Sequence, residues 1–125
     1  MISFRENIPT PEEYNFLTEQ VGWGKRDNNI VKEALDNTIY SICVYDEYKI
    51  IGFGRIIGDK TIFLYIQDIM VLTEYKSKKI GTQIMNHILD KIKELKKVNP
   101  NIRTYLGASK GKEEFYKKFG FKTRE

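Results

Sequence analysis

The sequence predicts a mixed α/β fold in which an antiparallel meander of strands precedes a β-α-β unit. Segments rich in β-branched and aromatic residues lie between residues 40 and 72, separated by turn signals at Asp46-Glu47 and Gly58-Asp59. From Ile80 onward, apolar residues recur every four positions, which is the period of an amphipathic helix. Another strand-like segment follows this helix. A strand, a helix and a strand in that order imply a right-handed parallel crossover.

Two helices are expected before the meander. The run Thr10-Pro11-Glu12-Glu13 is typical of a helix start, because a hydroxyl can cap the first turn and proline fits the first helical position. This helix should reach about Val21, where Gly22-Trp23-Gly24 interrupts it. A second, shorter helix is predicted over residues 29–35, before Asp36-Asn37.

The strands and the later helices follow from the same signals. The long helix should begin at about Lys78 and end before Asn99-Pro100-Asn101, and a short helix is predicted over residues 111–119. The predicted strands are residues 40–44, 49–57, 62–72 and 102–106, with a last one beginning at 121–123.

The composition is that of one globular domain covering residues 1–125. The chain has 125 residues, 41% of them apolar, which is enough to fill a single core. No stretch approaches the roughly 18 apolar residues of a membrane span, and the N-terminus lacks the apolar run of a signal peptide, so a cytoplasmic protein is expected. With one cysteine and one histidine, no Cys/His zinc cluster can form, and no metal site is expected.

The charge of the chain favours anionic partners. The formal net charge is +4 at pH 7, so a nucleic acid and a phosphorylated cofactor both qualify. Residues 71–82 end a strand, cross a basic turn and open the long helix. The unpaired N–H groups of a first helical turn bind anions, and Gly81 lets a ligand approach the backbone closely. The alternative is an ordinary strand-to-helix turn with solvated lysines.

Three motifs resemble those of the GCN5-related N-acetyltransferases (GNAT). Lys76 to Gly81 fills the six-residue window Arg/Gln-x-x-Gly-x-Gly/Ala, which binds acetyl-CoA in that family. Residues 66–71 are similar to the strand that pairs with the pantetheine arm, and residues 114–121 resemble the closing Phe-Tyr-x-x-x-Gly-Phe motif. The resemblance implies an acyl-CoA N-acyltransferase fold. It also implies transfer of the acetyl group of acetyl-CoA to a primary amine of a small molecule or protein, by direct attack in a ternary complex.

The resemblance also implies the site residues. Tyr116 is expected to be catalytic, with its hydroxyl directed at the cofactor sulfur, although an aromatic packed with Phe115 and Phe119 is the alternative. Asp68 is the candidate base, and a solvated or capping carboxylate is the alternative. Alternation along a strand should send Asp68 and Gln67 to opposite faces, so only one of them can face the site. A backbone N–H near residues 69–71 should stabilise the oxyanion. The implied cofactor-binding residues are Ile69, Met70, Val71, Lys76, Ser77, Lys78, Lys79, Ile80, Gly81, Thr82 and Phe115.

Two features depart from the family pattern. Lys79 stands where the motif has its first glycine, so it either strains the loop at a positive φ or reaches the phosphates as a point charge. The chain also ends at Glu125, short of the family's last strand, so a strand is missing or a partner chain, such as a second copy in a homodimer, supplies it. Elsewhere, Trp23 is expected to be a core plug, Cys43 a small buried hydrophobe and His87 solvated.

Two further functions stay open. A regulatory acetyl-CoA-binding domain without turnover would fit Lys79 and the short C-terminus. A nucleic-acid-binding module would fit the basic charge, but the sequence lacks an RNP-like aromatic-glycine pattern, so nucleic acid is not expected as a partner. The early helices offer no fixed code for the acceptor amine.

Overall fold

The computed structural model describes residues 1–107 and 111–121. The helices are α1 (Pro11–Gln20), α2 (Asn28–Asp36), a 3₁₀ helix (Thr73–Lys78), α3 (Ile80–Val98) and α4 (Glu113–Lys117), and the strands are β1 (Ile2–Arg5), β2 (Tyr40–Asp46), β3 (Lys49–Gly58), β4 (Phe63–Val71) and β5 (Arg103–Leu106).

The described strands form one five-stranded sheet in the order β1-β2-β3-β4-β5. The first four strands pair antiparallel, and β5 joins β4 in parallel after α3 has crossed over the sheet. The predicted meander and β-α-β unit are therefore confirmed. Of the last predicted strand, only Phe121 is described, and it lies outside any strand; residues 122–125 lie outside the described part of the chain.

The short strand β1 is an element that the sequence did not predict. Its four residues pair with β2 through Ile2↔Asp46 to Arg5↔Cys43. The ring of Phe4 stacks on His87 of α3, with ring centroids 5.3 Å apart. His87 is therefore partly buried against an aromatic ring, and the expectation that it is solvated is wrong. A lone segment of four residues carries too little period-2 pattern to be separated from a loop.

The helices pack on both faces of the sheet. The ring of Phe53 meets Tyr14 of α1 edge-on, whereas a Cβ on the next residue, Gly54, would lie 2.8 Å from the Ile84 side chain of α3. Successive strand residues point to opposite faces, so α1 and α3 cover opposite sides. Gly54 is required there because any side chain would displace the α3 stripe. Cys43 is buried in this core, as expected.

The start of α1 forms as its sequence predicts. Thr10 accepts a hydrogen bond from the Glu13 N–H at 3.0 Å, and the Glu13 carboxylate accepts one from the Thr10 N–H at 3.0 Å. This reciprocal pair is a capping box, with Pro11 in the first turn. This capping box fixes where α1 begins. The position of α1 in turn sets the position of the α1–α2 loop that follows it.

Candidate active site

A cleft of about 490 Å³ lies between two walls of the molecule. One wall is the end of β4 with the start of α3, and the other is α4; the α1–α2 loop closes one side. The lining residues are Val21, Trp23, Ile69, Met70, Val71, Lys76, Lys79, Gly81, Thr82, Lys112, Phe115, Tyr116 and Lys118. The cleft thus brings together most of the residues that the sequence assigned to cofactor binding.

The turn between β4 and α3 is shaped as an anion-binding site. Lys79 is the N-cap of α3 and adopts the left-handed conformation, with φ 59° and ψ 25°. No side chain caps this helix start, so the N–H groups of its first turn are not taken by a side chain. The positive φ that was considered for Lys79 from the sequence is observed, and it is a conformation that favours glycine.

Gly81 is the point where the two walls touch. The Phe115 ring of α4 packs over it, and a Cβ at this position would lie 3.4 Å from Phe115 Cζ. A larger side chain would therefore push α4 away from α3 and widen the cleft. The glycine thus sets the spacing of the walls at the narrow end.

A bulge in β4 opens the sheet beside the cleft. Phe53 pairs with Met70 and Arg55 with Gln67, so two residues of β4, Asp68 among them, face the single residue between Phe53 and Arg55. Asp68 itself has φ 60°. Among the described residues, the pairing of β4 with β5 ends at Ile66↔Leu106. Beyond that point β4 continues past the end of β5, and its residues 69 to 71 border the cleft.

The bulge overrides the strand alternation predicted for Gln67 and Asp68. Gln67 pairs with Arg55 across the sheet, and the side chains of paired residues point to the same face of a sheet. The Asp68 carboxylate also forms an ion pair with Arg55, so Asp68 points to that face as well. The Gln67 amide lies against Gly107, where its Nε2 would be 2.7 Å from an added Cβ. The prediction that these two residues point to opposite faces is therefore wrong.

The Asp68 carboxylate is held in a buried network. Tyr14 Oη donates a hydrogen bond to Asp68 Oδ2 at 2.9 Å, and Arg55 Nε donates to the same oxygen at 2.8 Å. Arg55 Nη1 also donates to Ala34 O and Thr38 Oγ1, both at 3.1 Å. The Arg55 and Asp68 side chains are only 12% and 16% exposed. This network joins α1, α2, β3 and the bulge, and Asp68 is not among the residues that line the cleft.

Tyr116 is the buried residue of α4. Only 6% of it is exposed, and burial raises the pKa of its phenol to about 12. The phenol is therefore neutral at ordinary pH, so it can act as a proton donor or as a hydrogen-bond donor but not as a base. Its ring meets Phe115 edge-on at 5.1 Å, and its hydroxyl makes no hydrogen bond with any other residue that the structure describes. Packing beside Phe115 and exposure to the cleft are thus both observed.

The charges that line the cleft are all positive. Four lysines lie there, and no aspartate or glutamate does, within the described residues. The Lys112 ammonium is the main cause that lowers the pKa of Lys76, with partial burial as a smaller cause. Bringing two ammonium groups together costs free energy unless an anion lies between them. The cleft is therefore suited to a multiply charged anionic ligand.

The model of the acetyltransferase (GNAT) domain family matches residues 12–125. The chain belongs to this family. An uncharacterised N-acetyltransferase, ycf52-like, from Prochlorococcus marinus is 31% identical over 109 residues, covering 84% of this chain and 58% of that protein. The ycf52 protein of Gracilaria tenuistipitata var. liui is also 31% identical, over 111 residues. This GNAT chain spans 58% and 59% of the lengths of these two relatives.

Solved structures share the GNAT fold. A probable acetyltransferase from methicillin-resistant Staphylococcus aureus superposes with a TM-score of 0.91 at 32% identity, covering 100% of this chain and 92% of that chain. Arabidopsis thaliana Naa50, in complex with the bisubstrate analogue CoA-Ac-MVNAL, gives a TM-score of 0.77 at 19% identity, covering 99% of this chain and 84% of that chain. At the latter identity the likeness shows the fold alone.

Besides Asp68, three residues that were assigned to cofactor binding in this GNAT chain do not line the cleft. Ile80 is 2% exposed and belongs to the core, while Ser77 and Lys78 are exposed on the 3₁₀ helix. Conversely, Val21, Lys112 and Lys118 line the cleft without having been singled out as site residues. A six-residue motif marks a stretch of backbone, so it does not say which side chains turn inward.

Trp23 is the clearest correction at this GNAT site. It is 44% exposed and borders the cleft, so the expectation of a core plug is wrong. Gly22 and Gly24 on either side have φ of 89° and 80°. A glycine with positive φ on each side of Trp23 turns the loop outward at this point, and the Gly-Trp-Gly run was the signal that could have indicated an exposed aromatic.

Within residues 1–107 and 111–121, no three His, Cys, Asp or Glu side chains come together as a group that could hold a metal ion. In the same residues, no helix has the length and apolar character needed to cross a bilayer.

Proposed function

We propose that this GNAT chain transfers the acetyl group of acetyl-CoA to a primary amine of a small molecule or protein, by direct attack in a ternary complex. The observation that carries the proposal is that one cleft contains an uncapped helix start with lysines, a free stretch of β4 backbone and the Tyr116 phenol. Acetyl-CoA needs these three things, because it has phosphates at one end and a thioester at the other.

The phosphate end fits the turn at Lys79. The first-turn N–H groups of α3 and the positive end of its dipole favour phosphate oxygens, and Gly81 leaves room beside the backbone. The four lysines offset the charge of the phosphates. Each charge-assisted hydrogen bond contributes about 1.5 to 3 kcal/mol, so three of them contribute several orders of magnitude in affinity before ordering costs are subtracted.

The β4 backbone is the proposed guide for the pantetheine arm. Acetyl-CoA supplies a thioester whose carbonyl carbon accepts the amine. Residues 69–71 run along the cleft past the end of β5, and Met70 and Val71 pair with β3 on their other side. The N–H and C=O groups that point away from β3 are therefore the ones proposed for amide pairing. An N–H in this stretch is the proposed donor to the acetyl oxygen as negative charge develops on it.

Tyr116 is the proposed donor to the leaving sulfur. Since burial raises its pKa to about 12 while a thiol has a pKa near 8.5, complete transfer of the proton would be uphill by about 5 kcal/mol. The phenol therefore first donates a hydrogen bond to the sulfur, and the proton moves late or exchanges with water. The absence of a hydrogen-bond partner for this hydroxyl among the described residues leaves it free for that role.

Asp68 remains our proposed base for the amine. Its Oδ2 is occupied by Tyr14 and Arg55, so a proton would reach the carboxylate through water rather than directly. Asp68→Asn should therefore lower turnover less than a change at Tyr116.

The proposal is tested by following free thiol release with acetyl-CoA and a panel of polyamines, amino sugars, amino acids and peptide amines. We expect turnover with at least one class. Tyr116→Phe should lower it about 100-fold with little change in acetyl-CoA affinity, whereas Tyr48→Phe, at an exposed turn, should match the wild type. Unchanged turnover in Tyr116→Phe would remove this residue from the mechanism. Binding without turnover across the panel would favour a regulatory acetyl-CoA-binding domain.

A further inference from the structure

Two of the four cleft lysines face each other from opposite walls without a counterion. Lys76 belongs to the 3₁₀ helix, and Lys112 directly precedes α4. Both line the cleft, and the Lys112 ammonium is close enough to be the main cause of the lowered pKa of Lys76. Neither lysine forms an ion pair with a carboxylate within the described residues.

The carboxylates nearest to this pair in sequence are engaged elsewhere. Glu113 Oε1 accepts a hydrogen bond from the Gly111 N–H at 2.9 Å, and Glu114 pairs with Lys117 at 3.0 Å. Lys118, which also lines the cleft, lies over the Phe115 ring, with its Nζ 5.7 Å from the ring centroid. Lys76 and Lys112 are therefore two neighbouring cleft cations that pair with no described carboxylate.

We propose that Lys76 and Lys112 together bind the 3′-phosphate of CoA, and that the protein therefore binds acetyl-CoA more tightly than acetyl-dephospho-CoA. The proposal rests on the proposed function, because it assumes that acetyl-CoA occupies the cleft. It adds a contact from α4, the wall opposite the helix start that takes the diphosphate.

The charges of the ligand support this assignment. A phosphate monoester carries nearly two negative charges at pH 7, whereas each phosphate of the diphosphate linkage carries one. The diphosphate already has the N–H groups at the start of α3. Two neighbouring ammonium groups match a dianion, and the repulsion between them is removed when it binds.

The test compares two ligands on matched variants by calorimetry. Acetyl-CoA and acetyl-dephospho-CoA are titrated into the wild type, Lys112→Gln, Lys76→Gln and the double variant. Lys117→Gln is the control, because it removes the same charge from the same helix at a residue that does not line the cleft. Circular dichroism of each variant checks that it is folded.

We expect the wild type to bind acetyl-CoA about 10-fold more tightly than acetyl-dephospho-CoA. Lys112→Gln and Lys76→Gln should each bring this ratio close to one, mainly by weakening acetyl-CoA. The double variant should lose little more than either single variant, because both lysines bind one group. Lys117→Gln should keep the wild-type ratio.

Other results would overturn the proposal in distinguishable ways. If the wild type bound both ligands with equal affinity, the proposed 3′-phosphate site would be contradicted, whereas the proposed function would not. A Lys112→Gln variant that weakens both ligands equally would assign the lysines to the diphosphate instead. A wild type that binds neither ligand would overturn the proposed function together with this inference.

Discussion

The wall of the cleft formed by β4 and α3 is anchored in the core, whereas the wall formed by α4 is held by a few aromatic contacts between two glycine turns. Met70, Ile80 and Ile84 of the first wall are at most 2% exposed. In the second wall Tyr116 is buried, but the helix has only five residues, and Gly111 and Gly120 flank it with φ of 90° and 89°.

This difference separates what folds the protein from what completes the site. A change in the first wall should lower global stability, because it removes core packing. A change in the second wall should cost little stability but alter ligand binding and turnover, because α4 carries Tyr116 and faces the cleft. The predictions below test this separation, beginning with the largest expected effect.

Arg55→Gln should produce the largest loss of stability. It leaves the buried Asp68 carboxylate without its guanidinium partner, and breaking a buried ion pair in this way costs about 3 to 5 kcal/mol. Chemical denaturation measures the loss. Arg103→Gln, on the exposed side of β5, is the control and should change stability by less than about 0.5 kcal/mol. A loss below 1 kcal/mol in Arg55→Gln would show that the network does not hold the bulge.

Ile84→Ala and Phe115→Ala compare the two walls directly. Ile84 is fully buried, so its truncation should cost about 2 to 5 kcal/mol of unfolding free energy. Phe115 is partly buried, so its truncation should cost about 1 to 2 kcal/mol yet weaken acetyl-CoA binding about 10-fold. Denaturation and calorimetry on both variants check this. If Phe115→Ala were the more destabilising change, α4 would be part of the folding core.

The buried tyrosines predict a loss of stability in alkali. Burial is the main cause that raises the pKa values of Tyr14 and Tyr116 to about 12, above the unfolded value near 10. A raised pKa stabilises the folded state fully below pH 10, and the stabilisation is lost as pH rises from 10 to 12. Each such residue contributes a loss of about 3 kcal/mol over that window.

Melting temperatures from pH 8 to 12 measure this loss in the wild type, Tyr14→Phe and Tyr116→Phe. Each variant should fall less steeply above pH 10 than the wild type, because it has one phenol fewer to ionise. If α4 opens without unfolding the rest, Tyr116 would ionise early, and Tyr116→Phe would then follow the wild-type curve while Tyr14→Phe would not. That outcome would sharpen the contrast between the two walls.

Lys79→Gly should give the smallest effect, and it should stabilise the protein. The left-handed conformation at φ 59° costs a lysine about 1 kcal/mol, which glycine avoids. Lys60→Gly, at φ 68° in a turn far from the cleft-lining residues, should give a similar gain and serves as the control. We expect Lys79→Gly to keep or improve acetyl-CoA binding. A large loss in calorimetry, absent from Lys60→Gly, would show that the Lys79 ammonium binds the phosphates.

Much of the fold could be predicted from local patterns in the sequence. The stripe from Ile80 predicted α3, and the run from Thr10 to Glu13 predicted the start of α1, because both depend on neighbouring residues alone. Strand β1 was missed because its four residues are defined by their pairing with β2. Pairing between distant segments leaves no period in so short a stretch.

The site could be predicted where it follows the backbone and not where it depends on distant side chains. Gly81, Phe115 and Tyr116 were found because motifs carry them, and Lys79 was noticed because it replaces a glycine of the motif. The bulge at Asp68 was missed because alternation assumes a regular strand. Lys112 was missed because only the fold brings it to Lys76.

The central claim is that acetyl-CoA binds in the cleft between the two walls, and Trp23 offers the most direct test. It is the only tryptophan of the chain, and it borders the cleft while being 44% exposed. Titration with acetyl-CoA should change its fluorescence in a saturable way, with one ligand per chain, and CoA should compete. No saturable change, together with no heat of binding by calorimetry on the same sample, would contradict the account.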